Sequence, residues 1–341
     1  MKTTDFDFIL PHELIAQNPL DKRDNSKLLI LTREKETISH NHFYDIVDYL
    51  EKDSVLVLND TKVLPARLIG KKAETNAIIE VLLLHETIKN AWECLVKPAK
   101  RVKIGTIVFF GNTLKAKCIA EKQDGIRIFE MIYEGIFIEI LEALGEMPLP
   151  PYITEKLADK SRYQTVYAKE VGSAAAPTAG LHFTNDLIEK IKAKGIEIIN
   201  VTLHVGLGTF RPVMTENIDE HQMHEEKYII SNEACNSLNN AIASGKKIIC
   251  CGTTTVRIIE SNFNIEKQKF TQGIYNTSIF IYPGYHFKIV SGIITNFHLP
   301  KSSLVMLVSA FATKDFIKKA YEIAVEAEYR FFSFGDAMFI K

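Results

Sequence analysis

Between Arg67 and Tyr133 the chain offers a series of short apolar runs, IIEVLLLHE, AWECLVK, TIVFFG, LKAKCIA and IRIFEMIYE, and no convincing helix. They are separated at Thr75-Asn76, Lys89-Asn90, Gly105, Gly111-Asn112 and Asp124-Gly125, residue types that turn a chain cheaply. Strands this short and this regularly spaced bury their apolar faces by pairing with one another. They predict a small antiparallel barrel or sandwich. On both sides the texture differs, because strand-like and helix-like segments alternate. The expected fold is therefore a layered α/β domain built discontinuously from residues 1–65 and 151–341, with residues 66–150 inserted as a β-barrel.

Within the α/β part, SKLLILTRE (Ser26–Glu34) reads as a strand, His40–Leu50 as a helix and Ser54–Asp60 as a second strand, a β–α–β opening. Phe137–Ile153 gives a helix and a Pro-rich return. A helix over Thr184–Gly195 has Thr184 as N-cap and Gly195 past its end, and another begins at Ser231. KKIICCG is a strand that leads into a helix at TTTVRIIES. NTSIFIY and SGIITNF read as strands, Ser302 and Lys314 begin helices, and DAMFI closes with a strand.

A chain of 341 residues suggests about two domains, and 46% hydrophobic content is enough for a sizeable core. The net charge of −1 advertises no global attraction for a polyanion, although a local basic patch suffices for RNA. Five irregularly spaced cysteines argue against a disulfide framework. MKTTDFDFILP has no basic, then apolar, leader pattern. No apolar run approaches the ~18 residues of a membrane span. A soluble, reduced, cytoplasmic monomer with no membrane partner is expected.

Several segments can carry chemistry, and each has an ordinary structural reading beside the functional one. CGTTTVRIIES presents backbone N–H groups and hydroxyls at a helix start, suited to an anion or nucleotide-like ligand, or simply a capped helix. Arg257 and Glu260 are spaced to pair with each other. VTLHVGLGTFRP carries His204 into Gly206 and Gly208, a sharp turn that allows close ligand approach. HQMHEE lacks a third ligand at zinc spacing, so a polar loop is favoured over a metal. EYRFFSFGDAM is core packing or a platform for a base. VKPAKRVKIG is a solvated turn or a phosphate-contact patch. GSAAAPTAGLHFT (Gly172–Thr184) is too rich in small residues for a core strand and ends in a single imidazole. Most of these segments fall at strand ends, where open α/β sheets bind ligands, so they are expected to converge on one pocket.

Together with FDFILPHELIAQ, RDNSKLLIL, LVLNDTKVLPARL, YQTVYA and TNFHLPKSSL, these motifs run nearly end to end, and in that order the chain resembles the S-adenosylmethionine:tRNA ribosyltransferase-isomerases of queuosine biosynthesis. Departures are Ala174, where the family usually has Val, and Phe334, where Tyr is common. The second argues against an essential phenol there. The resemblance implies an α/β fold with an inserted barrel. It also implies that S-adenosylmethionine is consumed as a ribosyl donor, with no metal or added cofactor. The acceptor is the aminomethyl-deazaguanine at the wobble position of a tRNA with a GUN anticodon. The products are epoxyqueuosine in tRNA, adenine and methionine.

That chemistry needs groups that move protons near neutral pH, for which histidine is best matched. His182, His204 and His298 are the leading candidates, with Asp60 and Asp336 behind them as acceptors or orienting partners. Substrate contacts are expected from Thr178, Gly206, Gly208, Phe210, Arg211, Gly252, Thr253, Thr254, Arg257, Arg330 and Phe332. tRNA contacts are expected from Lys62, Arg67, Lys97, Lys100 and Arg101.

Overall fold

The computed structural model describes residues 1–155, 157–206 and 213–341. Contacts divide the chain into two units. One holds Met1–Thr61, Pro151–Glu170 and Pro177–Lys341; the other holds Lys62–Pro150 and Val171–Ala176. The chain thus changes unit inside GSAAAPTAGLHFT, between Ala176 and Pro177, whereas the expected boundaries lay at 65 and 150 alone.

In the first unit the apolar run after Ser26 forms β1 (Lys27–Thr32), which turns into β2 (Thr37–His42). The helix expected over His40–Leu50 is largely absent. Its first three residues belong to β2, and the helical part is a 3-10 turn at Phe43–Asp45 followed by α1 (Ile46–Tyr49). The sequence TISHNH is polar because β2 is an edge strand, mostly exposed and paired only with β1. Phe43, Ile46 and Leu50 are buried all the same, and Val47 packs partly buried against them. Next come β3 (Ser54–Asn59) and β4 (Thr61–Val63).

The second unit contains β5 (Arg67–Lys72), β6 (Ile78–Ile88), β7 (Ala91–Lys97), β8 (Ile107–Phe110), β9 (Leu114–Glu121), β10 (Ile126–Tyr133) and α2 (Phe137–Leu144). The six strands close into an antiparallel barrel, β10-β7-β6-β5-β8-β9. In β9, Leu114, Ala116 and Cys118 point inward between exposed lysines, the period-two alternation of a strand with one buried face. Phe129, Phe110, Met131 and Leu83 fill the interior. Asn76, Asn90, Gly111, Asp124 and Gly125 all adopt positive φ at the turns, which is why those residue types marked the strand ends.

The chain continues through β11 (Glu170–Ser173), which pairs with β4 as a separate two-stranded sheet. Then follow α3 (Asn185–Ala193), β12 (Glu197–Leu203), β13 (Glu226–Ile230), α4 (Asn232–Ala243), β14 (Lys247–Cys251), α5 (Thr253–Asn262), β15 (Gly273–Thr277), β16 (Val290–Asn296), α6 (Ser303–Ala312), α7 (Lys314–Glu326) and β17 (Ala337–Ile340). Thr184, Ser231 and Ser302 accept the expected N-cap hydrogen bonds from Leu187, Ala234 and Val305. The strand expected at NTSIFIY ends early, at Thr277. Its partner β13 begins at Glu226, opposite Thr277, so the ladder between them stops there.

The main sheet runs β15-β13-β12-β3-β14-β16-β17-β1-β2. β12, β3, β14 and β16 are mutually parallel; β17 is antiparallel to β16 and parallel to β1. The opening is therefore no adjacent β–α–β pair, because β14, β16 and β17 lie between β3 and β1. Leu28, Ile30, Leu56, Leu58, Ile249 and Ile294 form one core with Phe43, Ile46, Phe183, Leu187 and Ile191. The alternate residues Leu29, Leu31, Val55, Val57, Ile248 and Cys250 are equally buried. Both faces are covered, which explains why these strands read as unbroken apolar runs.

Candidate active site

The ends of β3, β12 and β14 gather a polar cluster on one edge of the sheet. Asn59 closes it: its Oδ1 accepts from the N–H of Leu203 (3.0 Å) and of Thr61 (3.2 Å), and its Nδ2 reaches Leu203 O and Thr254 Oγ1. Thr61 Oγ1 lies 2.9 Å from His204 Nδ1. His204 is half-buried, and its Nε2 makes no hydrogen bond among the described residues. Burial, then the Lys227 charge, lowers its pKa, so the ring is neutral at pH 7. Gly206 is adjacent, and a side chain there would meet open space.

Beside this cluster, Gly252 takes φ +88 between β14 and α5, a conformation that favours glycine. Thr253 and Thr254 open α5 and are buried. The first-turn N–H groups and the Thr254 hydroxyl can therefore serve an anion or a ribose. Arg257, one turn on, is committed elsewhere. It is paired inside the protein with Glu226 and not with Glu260 as its spacing suggested. Glu260 instead accepts from the N–H groups of Lys288, Ile289 and Val290 and from Tyr285 Oη.

His182 belongs to a 3-10 turn at Thr178–His182, where Thr178 is half-buried and His182 is 4% exposed. Gly180 in that turn is tightly packed, because a Cβ there would fall on the Tyr167 hydroxyl. The His182 ring stacks on Phe43 with centroids 4.8 Å apart. Asn296 Nδ2 also donates to Phe332 O, which fixes the amide orientation. Its N–H is then donated to His182 Nε2 (3.1 Å), and His182 Nδ1–H is donated to Ser26 Oγ (2.7 Å). Burial first, then the charges of Arg330 and Arg23, pushes the pKa of this imidazole down to about 3.

His298 sits elsewhere. Its Nε2 meets Thr295 Oγ1 at 3.0 Å, its backbone N–H is donated to Tyr321 Oη, and burial brings its pKa down to about 3. Thr295 and Asn296 are consecutive on β16, so the side chains that hold His298 and His182 leave opposite faces of the sheet. Among the described residues, the expected convergence of all three imidazoles on one pocket is not seen, since His182 and His298 are held from opposite faces of the sheet. His204 and His298 follow the ends of β12 and β16, whereas His182 comes from the 3-10 turn, and neutral hydroxyl and amide partners hold them separately.

The remaining residues divide as follows. Asp60 is 6% exposed, accepts from Thr202 Oγ1 at 2.6 Å and has its pKa raised by burial. It lines a cavity of about 340 Å³ with Lys169, Glu170, Thr202 and Ser231. Asp336 is 2% exposed and ties β1 to the loop before β17 by accepting from the N–H groups of Lys27 and Arg330. Phe332 is packed 4.9 Å from Tyr152 and is 4% exposed, so in this structure the aromatic run is core. Arg330, with Phe334, lines a small cavity at His182 that shares no residue with the Asp60 cavity. In the barrel unit, Lys62, Lys97, Lys100 and Arg101 are exposed and Arg67 pairs with Glu80. The turn that bears Lys100 and Arg101 is propped from within by Arg127, which donates to Ala99 O and Val102 O. Gly208, Phe210 and Arg211 lie outside the described residues. Among the described residues, no group of three or more His, Cys, Asp or Glu side chains is arranged to hold a metal ion, and no helix is long and apolar enough to cross a membrane. His221 of HQMHEE packs on the Phe280 edge, and Glu225 accepts from Asn276.

Sequence reasoning missed most of the groups that hold the imidazoles: Ser26 and Asn296 at His182, Thr61 at His204, and the arginines Arg23 and Arg162. All but Arg162 fall inside the motifs quoted above, but only their spatial pairing gives them roles.

An α/β sheet with polar groups gathered along one edge and a closed barrel in a separate unit is a fold that the comparisons place. The chain belongs to the family of queuosine biosynthesis proteins, whose model matches residues 3–340. Among solved structures it is similar to S-adenosylmethionine tRNA ribosyltransferase from Thermotoga maritima, at 39% identity over 99% of this chain and 100% of that one, with a TM-score of 0.56.

Proposed function

We infer that this chain is an S-adenosylmethionine:tRNA ribosyltransferase-isomerase. It moves the ribosyl group of the donor onto the aminomethyl-deazaguanine at the tRNA wobble position and isomerises it to epoxyqueuosine. The observation that carries the reading is the 39% identity, spread over 99% of the chain, to a protein of the first of these activities. The donor is consumed, leaving as adenine and methionine. No metal or added cofactor enters the scheme.

The sulfonium charge acidifies the ribose 5′ carbon, so a base must take that proton. His204 suits the task best. Its pKa is lowered, so it is neutral at pH 7, and a proton on Nδ1 donated to Thr61 Oγ1 leaves Nε2 as the basic atom. His182 is sealed and bonded at both nitrogens, so we assign it to positioning. Gly252, Thr253 and Thr254 hold the donor's carboxylate or ribose hydroxyls. Lys62, Lys97, Lys100 and Arg101 contact tRNA phosphates.

The test incubates the protein with S-adenosylmethionine and tRNA bearing the aminomethyl-deazaguanine. Release of adenine and methionine is expected. S-adenosylhomocysteine would indicate methyl transfer, and binding without turnover a non-catalytic tRNA-binding homologue; either result overturns the reading. His204→Ala is expected to lower turnover by about 10²–10⁴-fold while the protein still folds. Turnover near that of the unmodified enzyme would remove His204 from the role of base.

A further inference from the structure

The cavity beside His182 is small, about 20 Å³, and three guanidinium groups, those of Arg23, Arg162 and Arg330, line it together with Ser26, Ser333 and His182. Each arginine is held by main-chain carbonyls. Arg23 donates to Gln164 O (2.6 Å) and Ser161 O (3.1 Å), Arg162 to Asp21 O (3.3 Å) and Leu20 O, and Arg330 to Asn18 O (3.3 Å). Carbonyls fix direction without neutralising charge. Among the described residues the nearest carboxylate to any of the three is Asp336, 3.8 Å from Arg330 Nη2, and its two oxygens already accept from backbone N–H groups. Arg162 Nε is buried with no hydrogen-bond partner among the described residues. The arginines also oppose one another: after burial, the Arg162 charge is the next cause that lowers the Arg23 pKa.

Three oriented cations thus outnumber the two carboxylates that act on them, Asp336 and the exposed Asp159, around a space about the size of one water, which admits a single oxygen of an oxyanion and no base ring. Guanidinium groups are matched to oxyanions of this kind. We propose that the Arg23–Arg162–Arg330 cavity is an oxyanion-binding site, and that under the function proposed above it receives either a backbone phosphodiester of the tRNA or the methionine carboxylate of the donor. The bound oxyanion lies next to His182, whose neutral state keeps a fourth positive charge out of the site.

Inorganic phosphate is the first probe, with chloride at equal ionic strength as control. Phosphate is expected to raise the thermal midpoint saturably and to slow backbone hydrogen exchange in residues 20–26 and 330–335, an effect abolished in Arg162→Gln and Arg330→Gln. This arm needs no variant to detect the site and no turnover, so it stands or falls independently of the ribosyl-transfer assay. Absence of protection in the unmodified protein, or protection retained in both variants, overturns the proposal. The second arm identifies the source. If the group is a phosphodiester, Arg162→Gln weakens tRNA binding about tenfold and reduces the salt slope by about one, with donor affinity unchanged. If it is a carboxylate, donor affinity falls and tRNA binding does not. Unchanged affinity for both in a folded variant overturns the proposal.

Discussion

A sealed imidazole and a half-buried one differ in what they do with a proton. His182 and His298 each have a folded-state pKa of about 3, against ~6.5 unfolded. The unfolded chain therefore binds their protons first. Their contribution to stability is complete above pH ~6.5 and is lost as the pH falls through the window between ~6.5 and ~3, at about 1.4 kcal/mol per pH unit for each ring. His298→Gln removes one of these two terms, while the opposing shifts of Asp60 and Asp336 stay common to both proteins. Unfolding free energies from urea titrations between pH 7 and pH 4 should therefore show a shallower decline in the variant, by about that amount per pH unit below ~6.5. Equal slopes would mean that His298 is not buried neutral. The imidazoles themselves were legible from the sequence because each lies within a motif. Their protonation states were not, since these follow from burial by other segments and, at His182, from the charges of Arg330 and Arg23.

At the scale of elements, the turn that carries His182 is set by one missing side chain. The Tyr167 hydroxyl and Thr165 Cγ2 occupy the space where a Gly180 Cβ would go, so the small residues of GSAAAPTAGLHFT answer to close packing within the protein. Gly180→Ala should cost about 1–3 kcal/mol by overpacking, and Tyr167→Phe in that background should recover part of the loss, because it removes the atom met first. Denaturation of the two single variants and the double variant measures this, and additive effects would show that the two positions do not meet. The barrel strands were legible because their turns need left-handed residues, and asparagine, aspartate and glycine announce them. By contrast β2 was hidden: an exposed edge strand such as TISHNH has no apolar face to declare itself, and the nearby Phe43, Ile46 and Leu50 carried the helical signal instead.

For the whole molecule, strand order is the property the sequence withheld. Apolar runs reveal that a strand is buried on both faces, but not which strand lies beside it, so β1 and β3 were expected together and are separated by β14, β16 and β17. The barrel has its own core around Phe129 and Phe110, distinct from the one around Phe183 and Phe43. Phe129→Ala removes a fully buried ring, worth about 3–5 kcal/mol. Hydrogen exchange should quicken in β7, β9 and β10 while β3 and β14 keep their protection. Equal loss in both sets would indicate that the two cores open as one.

The pairing of Leu28 with Ala337 also bears on how a ribosome delivers this protein. The barrel strands all lie between Arg67 and Tyr133, so their partners leave the exit tunnel soon after one another. β1 emerges with only β2 beside it, and its parallel neighbour β17 is translated after every other strand of the sheet. Until then an apolar strand waits with one edge unpaired, a natural place for a chaperone to hold the nascent chain.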